Sequence, residues 1–275
     1  MNRILQNIQF FMMLILLMAG MQSCSDKMQD MGDAQVSFTA SLPAHVRTRS
    51  FGKAEQVNTL IIGIFKDGIE IDRKSYVVSG TSVDVQLALA KNQAYSFIFW
   101  AYDNRQNIYN IDDLTSIKMT AMPEQIEFSQ AEAMDAFFAV AEDITPTGSC
   151  SYSVELLRPL AQINVGTTGI PVLAAFVAKS VPDTFHPFDN SVSGTCDFIW
   201  SFKETTTETF TVENIDYNYL AMGYLFAPTE EPMDMDAEMT MFYSGQSSRT
   251  VEFSKVKIEA NQRSNIAGGF TAKQE

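Results

Sequence analysis

Histidine is almost missing from this 275-residue sequence, which holds only His45 and His186, and that scarcity removes much enzyme chemistry at the outset. Neither stands beside a patterned nucleophile or acid, so a Ser-His-Asp or Cys-His arrangement has no base to work with. Cysteine is as sparse, at Cys24, Cys150 and Cys196. Three thiols and two imidazoles do not make a recognisable zinc site, and neither a metal nor any other cofactor is expected. Cations are few, with 19 Lys and Arg against 33 Asp and Glu and a net charge of −14. Nucleic-acid binding needs clustered Lys and Arg to neutralise phosphates, so nucleic acid is excluded as a partner. The nucleophile-elbow, zinc-protease, phosphate-loop and dinucleotide fingerprints are absent as well. Acid pairs remain at Asp112-Asp113, Glu142-Asp143 and Glu230-Glu231, in loop-like stretches where solvated carboxylates are the ordinary finding. Asp234, Asp236 and Glu238 are spaced like calcium ligands but lack the turn glycine and closing glutamate of a calcium loop. The chain reads as a non-enzyme.

What is present begins with the one long apolar run. Arg3 precedes the hydrophobic residues 10–19, and Met21-Gln22-Ser23 leads to Cys24. A basic start, a short apolar core and small residues before a cysteine form the layout of a bacterial lipoprotein signal. The run is shorter than the ~20 residues that span a bilayer. Residues 1–23 are expected to be removed and Cys24 to carry fatty chains, since two or more acyl groups anchor a protein stably. An uncleaved anchor, or a plain secretory signal cut near Ala19, are the competing readings, because Met21 and Gln22 are looser than the usual residues. Loss of residues 1–23 takes away one cation and no acid, so attachment must come from lipid rather than from a basic patch.

A polar tether, residues 24–33, leads to Val36, Phe38, Ala40 and Leu42 alternating with polar residues, the period-2 mark of a half-buried strand. Arg47 and Arg49 follow in a polar connection. Strands are expected over residues 57–65, 75–79, 82–89 and 94–102, the last apolar on both faces, with Asp67-Gly68 as hairpin turn. Residues 130–140 fit either a helix or a strand. Pro146 and Gly148 mark the best domain boundary, giving domains over residues 34–146 and 147–275. In the second, strands are expected over residues 151–165, 172–179, 196–202, 208–212, 217–226, 237–243 and 250–258, with Pro159 implying an edge or a bulge. Many short strands divided by turns indicate all-β sandwiches. Cys150 and Cys196 leave two readings open, one intradomain disulfide or two small buried thiols. Trp200, Tyr217 and Tyr219 either stack on sugar rings or pack a core.

Five runs in this order resemble the fimbrillin superfamily of FimA-like pilus subunits from Gram-negative gut and oral anaerobes: residues 36–40 followed by Arg47-Thr48-Arg49, residues 135–139, residues 157–165, residues 219–228 and residues 261–268. The resemblance implies two tandem transthyretin-like β-sandwiches behind a lipoprotein signal peptide, on a surface-exposed, lipid-anchored protein of the outer membrane. It also implies partnership with other fimbrial subunits and a host or bacterial surface ligand. Polymerising members lose their first strand when an arginine-specific protease cuts the following loop, which would be at Arg49 or Arg47 here, so residues 34–49 are the removable strand and loop. Losing Val36, Phe38 and Ala40 would open an apolar groove for another subunit's strand. Stalk-forming members carry a C-terminal donor extension, whereas this sequence closes on residues 270–275 just after the Asn265-Ile266 motif, so a tip, accessory or anchor subunit is expected. The alternative is a monomeric surface lipoprotein that binds glycans.

In the producing bacterium, radiolabelled palmitate should be incorporated by the wild-type chain and not by Cys24→Ala. Equal labelling of the two would refute lipidation at Cys24.

Overall fold

The computed structural model describes residues 32–43, 56–120, 125–243 and 247–270. Cys24, His45, Arg47 and Arg49 lie outside them. Three-stranded and four-stranded sheets face each other in the first sandwich. One has the order β4 (Ser82–Ala90), β1 (Asp33–Ser41), β9 (Cys150–Glu155); the other is β3 (Ile69–Val77), β2 (Thr59–Lys66), β5 (Tyr95–Tyr102), β8 (Ala136–Ile144). The alternation in β1 does what a half-buried strand requires, turning Ala34, Val36, Phe38 and Ala40 inward. Strands β2 and β3 join through Asp67 and Gly68, both at positive φ (51° and 76°), the backbone that an Asp-Gly hairpin accommodates.

Strand β5 has no polar face because it stands between two cores. Phe97 and Phe99 meet Phe38 at 4.8 and 5.2 Å between ring centroids. Trp100, on the other face, meets Tyr109 at 5.2 Å, and Phe185 and Phe226 at 6.4 Å each. Those last two rings belong to the second half of the chain.

The second sandwich stacks β15 (Thr209–Val212), β16 (Ile215–Phe226), β10 (Leu160–Thr167) and β19 (Arg263–Gly268) on β14 (Cys196–Ser201), β11 (Leu173–Val181), β17 (Met233–Phe242) and β18 (Ser248–Ile258). Trp200 stacks on Phe176 at 5.7 Å and 12°. A Cβ at Gly223 would lie 2.3 Å from the Trp200 ring, so only glycine lets β16 pass beneath that indole. A fifth sheet bridges the halves, in the order β13 (Ser191–Ser193), β12 (Thr184–His186), β7 (Ile117–Met119), β6 (Tyr109–Asn110). The hairpin β6–β7 comes from the first half, and β12 pairs with it at Thr184↔Lys118 and Phe185↔Ile117.

Two expectations are corrected and two open readings are decided. The chain does not change sandwich at residues 144–148: β9 returns to the first sandwich and runs parallel to β1, from Val36↔Cys150 to Ser41↔Glu155. The crossing falls at residues 156–159, so residues 151–165 are two strands rather than one, divided where Pro159 has no N–H to give to a ladder. Residues 130–140 hold both alternatives in turn, a short helix α1 (Phe128–Glu132) and then β8. Of the two readings of the cysteines, the disulfide is not the one found. Cys150 and Cys196 are free thiols, one opposite Val36 in the first sandwich and the other opposite Val181 in the second, because β9 carries Cys150 away from the domain expected to hold it.

Since the halves share one core around Trp100, they should unfold together. Trp100→Ala is expected to cost about 3–5 kcal/mol and to lower a single urea transition seen by both near- and far-UV dichroism. Two separate transitions in the wild type would contradict a shared core.

Candidate functional site

The first-strand groove is built around β1, which is a central strand and not an edge. On one side it is antiparallel to β4, from Asp33↔Ala90 to Ser41↔Ser82, and on the other parallel to β9. Its inward residues Ala34, Val36, Phe38 and Ala40 are 2, 0, 1 and 2% exposed. Val36, Phe38 and Ala40, the three residues singled out from the sequence, therefore share one buried face above Phe97 and Phe99. Large apolar side chains such as Val36 and Phe38 stabilise by roughly 1.5–3 kcal/mol each when fully buried. Without β1, both β4 and β9 would present unpaired N–H and C=O groups across an apolar floor, which is the chemistry of a strand acceptor. Leu42, just past β1, is still held by its N–H donating to the Thr81 carbonyl (2.8 Å). The sequence from residue 44 to 55, with Arg47 and Arg49, comes directly after.

A buried clasp closes the crossing between the sandwiches. Arg158 Nε and Nη2 donate to the two carboxylate oxygens of Asp135, each at 2.7 Å, and Nη1 donates to Asn261 Oδ1 at 3.0 Å. Asp135 Oδ1 also accepts the Ala136 N–H at 3.1 Å, and the guanidinium lies 4.7 Å from the centre of the Phe137 ring. Burial raises the Asp135 carboxyl above its ordinary value, with the Arg158 charge opposing that rise. The neighbouring Tyr109 and Tyr224 hydroxyls are pushed well above the usual tyrosine value, by burial first and by the Asp135 charge second. Tyr109 is fixed in place by donating to the Met134 carbonyl. Asp135, Arg158 and Asn261 come from three of the separate runs that carried the sequence resemblance, and the fold brings them to one point.

The other residues singled out have structural positions. His186 contacts Ser193 Oγ through Nε2 (2.7 Å) and the Thr115 carbonyl through Nδ1 (3.3 Å). Trp200 and Tyr219 are buried and Tyr217 stacks on Phe210 at 5.7 Å, so these aromatics pack the interior and form no exposed platform. Asp234, Asp236 and Glu238 do not converge on an ion. They point from β17 to β18 or β11, pairing with Lys257 (2.6 Å), the Lys255 N–H (3.1 Å) and Lys179 (2.6 Å). Among the described residues no group of three His, Cys, Asp or Glu is placed to hold a metal ion. The sequence reading missed the polar loop between β5 and β6, where Asn104, Asn107 and Asn110 recur at a spacing of three.

The fold is an all-β, two-sandwich arrangement shared with candidate adhesins and candidate polysaccharide-binding proteins of Bacteroides. A candidate adhesin from Bacteroides thetaiotaomicron is similar over 80% of each chain, at 11% identity and a TM-score of 0.51. Candidate polysaccharide-binding proteins of the same organism are similar over 87% of this chain and 92% of theirs, at 13% identity and a TM-score of 0.50. The tip fimbrial protein Mfa3 of Porphyromonas gingivalis matches over 88% and 96%, at 12% identity and a TM-score of 0.47. Structures resembling this one thus include candidate adhesins; at these identities the likeness is one of fold. By sequence, the chain belongs to the family of unknown function DUF6562, whose profile spans residues 28–275. No curated protein matches it.

Removing one partner of a buried ion pair leaves a charge without compensation. Arg158→Met should therefore destabilise the protein by about 3–5 kcal/mol, and adding Asp135→Leu should recover most of that loss. Urea midpoints of the single and double variants check both. A single variant as stable as wild type would show that the clasp is not needed.

Proposed function

We propose that this chain is a non-catalytic fimbrial or adhesin subunit of the cell surface, primed for assembly by strand exchange. The observation that carries the reading is the position of β1 between β4 and β9 with a fully buried apolar face, directly ahead of the arginines Arg47 and Arg49. In this reading Cys24 anchors the protein to the outer membrane through lipid, and an arginine-specific protease cuts after Arg49 or Arg47. The severed β1 then yields its groove to an extended strand of another fimbrial subunit. An incoming strand recovers both backbone ladders and refills the positions of Val36, Phe38 and Ala40, so exchange replaces like with like in free energy and needs no other energy source. Surface attachment places any ligand contact on the exposed remainder of the two sandwiches.

Limited trypsin digestion followed by intact-mass measurement tests this directly. The expected outcome is a cut at Arg49 or Arg47 that leaves a folded remainder, from which excess donor-strand peptide displaces the β1 fragment. A remainder that unfolds, or that retains β1 against every donor subunit offered, would contradict assembly by exchange. The same preparation under the electron microscope separates roles: a tip, accessory or anchor subunit captures donors without forming filaments alone, while long homopolymers would identify a stalk.

A further inference from the structure

The loop that leaves β5 and enters the β6–β7 hairpin frames a surface cleft of about 560 Å3, far from the strand groove in its chemistry. That volume lies within the range of ordinary ligand sites. Its polar lining is Tyr102, Asn104, Asn107, Asn110, Asp112 and Thr120. Among the described residues, the carboxamides of Asn104 and Asn107 and the hydroxyl of Tyr102 have no hydrogen-bond partner. Asn110 uses its side-chain oxygen to accept the Asp112 N–H at 2.9 Å, which leaves its NH2 group to donate.

The frame beneath these groups is rigid. Buried Asp103 accepts from Asn58 Nδ2 (2.8 Å), Arg105 Nε (2.8 Å) and the Arg105 N–H (3.0 Å), while the Asn104 N–H donates to Asn58 Oδ1 (3.2 Å). Asn107 holds a left-handed φ of 48°. Thr120 closes the far wall, its N–H and its hydroxyl both donating to the Ile108 carbonyl at 2.7 and 2.8 Å. Arg73, the cation nearest Asp112, is spent on structure: it donates to the Ile111 and Asp112 carbonyls (2.6 and 3.1 Å) and clasps Glu70 (2.5 and 2.7 Å). The half-buried Tyr102 ring stands edge-to-face on Tyr109 at 6.2 Å.

Carboxamides, a hydroxyl, a carboxylate and an aromatic surface with no Lys or Arg in the lining suit a ligand rich in hydroxyls and free of negative charge. A phosphate or carboxylate ligand would meet the Asp112 carboxylate, and the nearest cation, Arg73, is already paired with Glu70. We propose that this cleft binds a neutral oligosaccharide, with a pyranose against the Tyr102 ring and its hydroxyls bonded to Asn104, Asn107, Asn110 and Asp112. The inference deepens the adhesive part of the proposed function and is independent of strand exchange.

The test is a glycan array of neutral and acidic host and plant glycans, probed with the full, uncut chain, followed by calorimetry on the best neutral hit. Binding of a neutral glycan is expected, weakened at least about tenfold in Asn104→Ala and in Asn110→Ala and unchanged in the remote Thr206→Ala. Both asparagines are exposed, so melting temperatures should not move; Tyr102→Phe keeps the ring and should retain most affinity. No neutral glycan bound, a preference for acidic glycans, or binding unaffected by the cleft variants would each overturn the proposal. Because the chain is uncut, a failure of strand exchange leaves this result untouched.

Discussion

The Arg158 guanidinium, buried at the point where the chain passes from one sandwich to the other, is the constraint on which the rest of the structure depends. A charge at that depth is tolerable only with a carboxylate and enough acceptors to satisfy its donors. Asp135 supplies two and Asn261 a third. Asp135 directly precedes β8, Arg158 lies between β9 and β10, and Asn261 is in the turn before β19. Satisfying one side chain therefore fixes the ends of strands from both sandwiches. Around that point the apolar layer of Trp100, Phe138, Phe185 and Phe226 closes as a single core.

This division of labour is what the proposed removal of a central strand relies on. The face of β1 meets a smaller core, made with β2, β4, the inner face of β5 and Phe137 and Ala139 of β8, while the Trp100 layer lies on the far side of β5 and the clasp meets the β1 core through the Phe137 ring. Under the proposed exchange, taking β1 away would expose Phe97 and Phe99, while the bonds of Arg158 and Asp135 and the pairing of the bridging sheet do not involve β1. Strand loss would then be a local event with its own free energy, as expected when a structure opens in parts. A groove that stays shaped while empty is what a strand-accepting subunit requires.

Where one residue's pattern decides its surroundings, the sequence was readable. Alternation over residues 36–42 announced β1, and the two apolar faces of residues 94–102 announced a strand enclosed on both sides. What encloses β5 was not readable, because β6, β7, β12 and β13 are two or three residues long and carry no period. Mixed apolar and polar residues across 151–165 hid a change of sandwich, as such a pattern cannot distinguish one long strand from two that point into different cores; Pro159 was the visible mark of the break. The burial of Arg158 had a signal too, a lone arginine between apolar residues and a proline, matched by an Asp at the head of another apolar run. The asparagines recur at a spacing of three, a period that by itself marks no ligand site, and only the fold shows that Asn104, Asn107 and Asn110 border one cleft.

Hydrogen–deuterium exchange, comparing the intact chain with a chain cut at Arg49 and stripped of β1, tests the central claim that this strand is separable from the scaffold. The account predicts faster exchange confined to β4, β9 and the inner face around Phe97, protection unchanged in β10 and β16, and recovery when a peptide of residues 33–42 is added. Loss of protection throughout both sandwiches would contradict it, since β1 would then be part of the one cooperative core rather than a strand laid into a finished groove.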